Sequence, residues 1–371
     1  MKLIGIAILL SLTSIAMLAC PETSANGRLR DLSEMATERA AHTATLLNDG
    51  SVLIVGGFRT GGTSLQDAEI FSPKKGTFTV TGRLAVPRSG HTSTLLPDGK
   101  VLIAGGFDGN YLDSTEIFDP KTGRFTPGER LTIPRSEHTA TRLSDGRILL
   151  IGGVGTGWTF LSDAEIYDPR TGKFSPTGKM SVPRESHTAT LLKDGNVLIT
   201  GGHKDRRTAM TVYSTTEIYE VRSGTFQPSE PLTIRRHKHD AVRLADGRVL
   251  IAGGSDESDA RLGGAYRSLE IFDPASGSSR KVGDMRSTRY KLNGTAIVLK
   301  TGKILIAGGS ESAEIFDPVT QNISVVEGSY GSARLFSTAT LLDDGRVLIA
   351  GGYDSSTRVG RRTWIYEPEA R

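Results

Sequence analysis

The 371-residue sequence predicts an all-β fold, a seven-bladed β-propeller of four-stranded antiparallel blades. Three recurrences predict it. A Gly-Gly pair begins at Gly56, Gly105, Gly152, Gly201, Gly253, Gly308 and Gly351. A turn dipeptide precedes each pair, at Asp49-Gly50, Asp98-Gly99, Asp145-Gly146, Asp194-Gly195, Asp246-Gly247, Thr301-Gly302 and Asp344-Gly345. A segment carrying Glu69, Glu116, Glu165, Glu217, Glu270 or Glu314 follows, and its last version reads Trp364-Ile365-Tyr366-Glu367-Pro368. A period of about fifty residues with four short strands is that of a propeller blade. One such sheet cannot bury both faces alone, so the copies must cover one another.

The second repeat shows why each element forms. Residues 91–96 and 100–104 alternate apolar and polar side chains, the period of a strand. Asp98-Gly99 between them supplies the positive φ angles of a tight hairpin. A third strand at 115–118 is stopped by Asp119-Pro120, and Lys121-Thr122-Gly123 turns the chain into a fourth around Phe125. A strand ending in Gly-Gly, then a Glu-Ile-Tyr-Asp-Pro type of segment, then a turn and an aromatic resembles the kelch repeat. The resemblance spans 29–368. The family usually has Trp where this chain has Phe78, Phe125, Phe174 and Phe226, and an aromatic still fills the outer sheet.

Residues 1–20 read as a signal peptide. Lys2 precedes an apolar run at 3–15 that is too short to span a membrane comfortably. The segment ends Ala16-Met17-Leu18-Ala19-Cys20, which looks like a bacterial lipobox, with Met17 where Leu is usual. Cys20 is therefore the expected lipidation site, and an ordinary secretory signal is the alternative. Residues 21–27 are a small, polar tether, and 28–371 the propeller. Leu29 and Met35 precede Arg39 at the intervals at which Phe125 and Leu131 precede Arg135. Residues 29–35 thus read as a displaced fourth strand. The chain ends just after a third strand, and an open sheet edge invites aggregation. The N-terminal strand is expected to close the last blade.

The charge of +4 falls to +3 without the leader, which contains one charged residue, Lys2. Interspersed acids and bases make no case for nucleic acid. With Cys20 the lone cysteine, the mature domain has no disulfide. Copper radical oxidases of the galactose oxidase kind share the kelch propeller, and their chemistry requires a cysteine joined to a tyrosine. No cysteine outside the leader can supply it.

Candidate binding residues repeat with the blades. Ten residues before each turn lie Arg39, Arg88, Arg135, Arg184, Arg236, Lys291 and Arg334, where the chain enters each innermost strand. As a cationic ring at one mouth of the channel they would hold a carboxylate, an acidic sugar or an acidic peptide. The alternative is that each pairs with the repeated glutamate as a buried bridge. Three residues further on come His42, His91, His138, His187 and His239, then Gly294 and Ser337. Sevenfold spacing is too wide for one ion with ligands at about 2.0–2.1 Å, so these histidines are expected to bond between blades, with no metal.

The loops after Gly-Gly vary. The fourth and fifth are longest, with Lys204, Asp205, Arg206 and Arg207 in one and Asp256, Glu257, Asp259 and Arg261 in the other. Trp158, Phe160, Tyr213 and Tyr266 on these loops suit stacking on a sugar or packing the loops down. No phosphate loop, metalloprotease helix or serine elbow is present. The expectation is a cofactor-free binding or scaffolding propeller, exported to a bacterial envelope and anchored by lipid. It would act as a monomer and recognise a protein or acidic glycan. The alternative is a carbohydrate-acting enzyme similar to bacterial sialic acid epimerases, which are secreted kelch propellers.

Overall fold

The computed structural model describes residues 27–206, 209–256, 264–292 and 294–369. The leader, most of the tether, Arg207, Glu257, Asp259 and Arg261 lie outside them. Seven four-stranded antiparallel sheets stand in a ring, a seven-bladed β-propeller. Blades 1 to 6 occupy 43–83, 92–127, 139–179, 188–229, 240–284 and 296–325. Blade 7 takes three strands from 338–367 and its fourth from the strand Arg28–Asp31. Innermost strands pack against their neighbours all the way round, the seventh on the first.

The second strand of each blade is buried on both faces, which is why it reads as an unbroken apolar run such as Val52–Val55 or Ile148–Ile151. The core lies between blades. Leu53 and Val55 of blade 1 meet Val101, Ile103 and Phe118 of blade 2. Outer strands are held by the aromatic pairs Phe71–Phe78, Phe118–Phe125, Tyr167–Phe174 and Tyr219–Phe226, with centroids 4.8–4.9 Å apart.

The Gly-Gly pairs are the seams. The second glycine of each pair donates its N–H to the carbonyl of the arginine that leads into the next blade, from Gly57 to Arg88 (2.9 Å) around to Gly352 and Arg39 (2.9 Å). The first glycine must be small. A Cβ on Gly56, whose φ is +59°, would stand 2.6 Å from the Arg88 carbonyl and 2.8 Å from His91 Cε1. The ring closes as the sequence predicts: Leu29 pairs with Tyr366 and Asp31 with Trp364. Leu29 is buried beside Trp364 and Val347, and Met35 beside Leu342 and Ile365.

Candidate functional site

The structure places the repeated arginines inside the blades. Arg39, Arg88, Arg135, Arg184 and Arg236 are 0% exposed and face Glu69, Glu116, Glu165, Glu217 and Glu270. The separations are 2.8 Å for Arg39, 2.9 Å for Arg88 and Arg184, and 3.0 Å for Arg135. Each guanidinium also donates to the carbonyl of its Gly-Gly pair, as Arg88 does to Gly105 at 2.7 Å. The glutamates accept in turn from the backbone of the lead-in segment, Glu69 from Ala36 (2.8 Å) and Thr37 (3.2 Å). Burial lowers the pKa of these guanidiniums, and the facing carboxylates oppose it.

Two positions depart from the expected ring. In blade 6 the place belongs to Arg289, which pairs with Glu314 at 2.9 Å and donates to Gly308 at 2.6 Å. Arg289 lies nineteen residues before its Gly-Gly pair, against seventeen for Arg88. Counting ten back from the turn therefore lands on Lys291 instead. The same insertion puts Leu292, not Gly294, at the histidine position, where it packs near Gly253. In blade 7 Trp364 stands where other blades carry glutamate, opposite Ile349. Arg334 accordingly lies over the Trp364 ring, 4.9 Å from its centroid.

The histidines bond between blades. His91 Nε2 meets Thr43 Oγ1 (3.0 Å), His138 meets Thr92 (3.0 Å), His187 meets Thr139 (3.1 Å), and His42 meets Thr338 (3.0 Å). His239 meets both Thr188 (3.2 Å) and Thr200 (2.9 Å). Burial, then the adjacent arginines, bring His91 and His187 down to about 3, so they are neutral at pH 7. Blade 6 offers Leu292 in place of histidine, and there Asp240 makes the link, accepting from the Ala296 N–H at 2.7 Å. Burial raises the Asp240 carboxyl to about 6.

Above these rows lies a collar. Its members are Ala41, Gly90, Glu137, Ser186, Lys238, Lys291 and Phe336, the second residue after each buried arginine. All have φ between +49° and +60°. Their backbones link one blade to the next. Gly90 donates to Ala41, Glu137 to Gly90 (2.8 Å), Lys238 to Ser186 (3.0 Å), Phe336 to Lys291 (3.2 Å) and Ala41 to Phe336 (3.1 Å). Leu292 reaches the Lys238 carbonyl at 3.4 Å. Ala41, Gly90, Glu137 and Ser186 of the collar, with His42, His91, His138, His187 and the threonines, line a cavity of about 410 Å³ at the channel mouth.

The collar side chains break the sevenfold symmetry. Charges occur on blades 3, 5 and 6, as Glu137, Lys238 and Lys291. Glu137 is half-buried, and its pKa is raised first by burial and then by Glu185, while Lys238, Arg206 and Lys291 oppose the rise. Lys291 Nζ donates to Tyr353 Oη at 2.6 Å and sits 4.8 Å from the Tyr290 ring centroid and 5.6 Å from that of Phe336.

Two raised hairpins stand beside the collar. In blade 3, Val154–Gly155 pairs with Thr159–Phe160; in blade 4, His203–Lys204 pairs with Thr211–Val212. The first turns through Gly157 (φ +69°) and Trp158 (φ +63°), leaving the indole 58% exposed. A left-handed conformation at a bulky residue costs about 1–3 kcal/mol and marks a constrained loop. Arg206 of the second hairpin lies over Trp158 at 4.8 Å and pairs with Glu185 at 2.7 Å. Burial pushes Glu185 up, but His203 and Arg206 outweigh it and hold the carboxyl below its ordinary value. Tyr213 and Tyr266, by contrast, lie under Arg184 and Arg236 at 5.2 Å and 5.6 Å.

Of the collar, sequence reasoning named Lys291 alone, and it missed Glu185. Their signal was variation inside a constant frame, because the two residues after each arginine change from blade to blade while the arginine does not.

The Kelch motif model matches residues 87–132 and 134–181, which cover blades 2 and 3 with their lead-in segments. The chain is thus a seven-bladed β-propeller that carries kelch motifs in blades 2 and 3. A search of curated proteins gives no match. Among solved structures 1030 chains match, so the fold alone selects no function. One of them is described as a novel fungal alcohol oxidase with catalytic diversity among the AA5 family, in complex with copper. It aligns at a TM-score of 0.73 and 18% identity over 92% of this chain and 76% of its own. That likeness is one of fold. Among the described residues no group of three or more His, Cys, Asp or Glu is arranged to hold a metal, and the repeated histidines are bonded to hydroxyls. They do not fit a copper centre.

Proposed function

We propose that this propeller is a binding module that takes an anionic group, on a protein or an acidic carbohydrate, at the mouth of its channel. The fold supports a binding or scaffolding role in general. The observation that carries the finer reading is the pair Lys238 and Lys291, the cationic members of the collar, on neighbouring blades and both within electrostatic reach of Glu137 in the concave mouth. Such a site focuses attraction for an anion. The arginines Arg39, Arg88, Arg135, Arg184 and Arg236 stand behind it as buried struts. A charge-assisted hydrogen bond contributes roughly 1.5–3 kcal/mol. Lys238→Ala is therefore expected to weaken binding of an acidic peptide or a sulfated or sialylated oligosaccharide about tenfold or more, with an unchanged melting temperature. Added salt should weaken it further. Unaltered affinity in Lys238→Ala, measured on an array of both ligand kinds, would overturn the proposal.

A second reading, a carbohydrate-acting enzyme, is favoured by the asymmetry of the ionisable cluster around Glu137 and Glu185, since catalysis needs one unique constellation. Recovery of an altered sugar from the bound ligand decides for it. We also propose that the domain is exported to a bacterial envelope and held there through lipid on Cys20. Cys20→Ser should then move the protein from the membrane to the soluble fraction, and equal partition of both forms would refute the anchor.

A further inference from the structure

Beside the collar, segments of blades 3 and 4 build an aromatic box floored by a buried carboxylate, and one of the chain's own arginines occupies it. We propose that this box is a binding site for the guanidinium of an arginine side chain on a partner polypeptide, with Arg206 as its internal occupant.

The floor is Glu185, 1% exposed. Its Oε1 takes Arg206 Nη2 at 2.7 Å and lies 3.1 Å from His203 Nε2. Its Oε2 has no hydrogen-bond partner among the described residues. A carboxylate engages a guanidinium best through two parallel bonds, and the second acceptor is in place. The walls are Trp158 and Phe160, whose ring centroids lie 4.8 Å and 5.9 Å from Arg206 Cζ. Tyr111 braces Trp158 edge-on at 6.0 Å, and His203 stands 5.7 Å from Phe160. A flat, weakly hydrated cation suits such walls better than a compact ammonium.

Three features make the occupant exchangeable. Arg206 is 41% exposed on its hairpin. It engages one carboxylate oxygen. An incoming guanidinium would also replace like with like, so the buried Glu185 charge is never left unpaired. The exposed Trp158, held in its left-handed turn, is presented to solvent where an incoming side chain would meet it. The choice of a polypeptide follows from the surroundings. Lys238 and Lys291 both sit within electrostatic reach of Glu137, and a chain carrying arginine among residues of both signs finds a counterpart for each. The box does not depend on the anion site, and it stands if that site fails.

The test empties the box. Arg206→Ala, in the full mature chain, is titrated with acetyl-Gly-Arg-Gly-amide, its lysine counterpart and free L-arginine. Tryptophan emission is the readout, because Trp158 is exposed and the second tryptophan, Trp364, is buried. The arginine peptide should bind Arg206→Ala at least tenfold more tightly than the parent chain and more tightly than the lysine peptide. Glu185→Gln on the Arg206→Ala background should abolish that gain. Equal affinity of the two chains, or a gain that survives Glu185→Gln, overturns the proposal. So does binding of free arginine without the peptide. A fall in melting temperature for Arg206→Ala is expected from the unpaired Glu185 charge, and a fall that saturating arginine peptide fails to reverse also overturns the proposal, by making Arg206 a strut instead of an occupant.

Discussion

Arg88→Ala is expected to destabilise the propeller by roughly 3–5 kcal/mol, the effect of breaking a buried ion pair by removing one partner. The Arg88 side chain holds three segments together. It donates to the Gly105 carbonyl (2.7 Å) and to the Ser114 carbonyl (3.0 Å), and it pairs with Glu116 at 2.9 Å. Its removal leaves Glu116 buried, with only the Ala85 and Val86 N–H groups (2.9 and 3.3 Å) to share its charge. Replacing both partners by apolar residues, Arg88→Met with Glu116→Leu, should cost less, because no charge then remains unpaired. Chemical denaturation of the three proteins checks this order. Ligand affinity of the folded fraction of Arg88→Ala should equal that of the parent, and a selective loss of affinity at unchanged stability would return the arginines to recognition.

Removal of residues 27–35 should have a comparable or larger effect. The strand Arg28–Asp31 covers the outer edge of Thr363–Glu367. Its continuation keeps the chain in place through Leu32 N–H to Thr363 (3.0 Å) and Met35 N–H to Arg361 (2.9 Å), while Leu29 N–H reaches the Glu327 carbonyl, just after the last strand of blade 6 (2.8 Å). Burial of Leu29 and Met35 contributes about 1.5–3 kcal/mol each, a large share of a total stability of about 5–15 kcal/mol. The shortened domain is expected to melt well below the parent and to aggregate through the bared edge. An unchanged melting temperature and a monodisperse sedimentation profile would refute the closure. Leu29→Asp, which keeps the strand but sets a charge against Trp364, should fall between the two.

The ring itself was legible in the sequence because each blade must repeat the same seam: a glycine that admits its neighbour's backbone, a turn and, in six of the seven blades, a glutamate. The closing strand was legible for the same reason, from the spacing of Leu29, Met35 and Arg39. Lys291 was misplaced because the count ran back from the turn and assumed no insertion. A count forward from the buried apolar residue four places before each arginine, Leu84 before Arg88 or Met285 before Arg289, passes the insertion by. The Glu185–Arg206–Trp158 contact was not legible at all. It joins loops of different blades, and the geometry that brings them together is set by hairpins whose two-residue strands leave no periodic trace.

The collar has a consequence for how such a protein changes over generations. Its links run through backbone groups, N–H of one blade to carbonyl of the next. Glycine, alanine, serine, phenylalanine, lysine and glutamate all occupy equivalent posts in one molecule. Exchange among posts that already bear a side chain in this backbone conformation keeps the links of the scaffold while rewriting the chemistry of the mouth, so specificity can diverge faster than architecture. The six posts that already carry a side chain form a register in which new recognition evolves, or is engineered, by small steps that keep every intermediate folded.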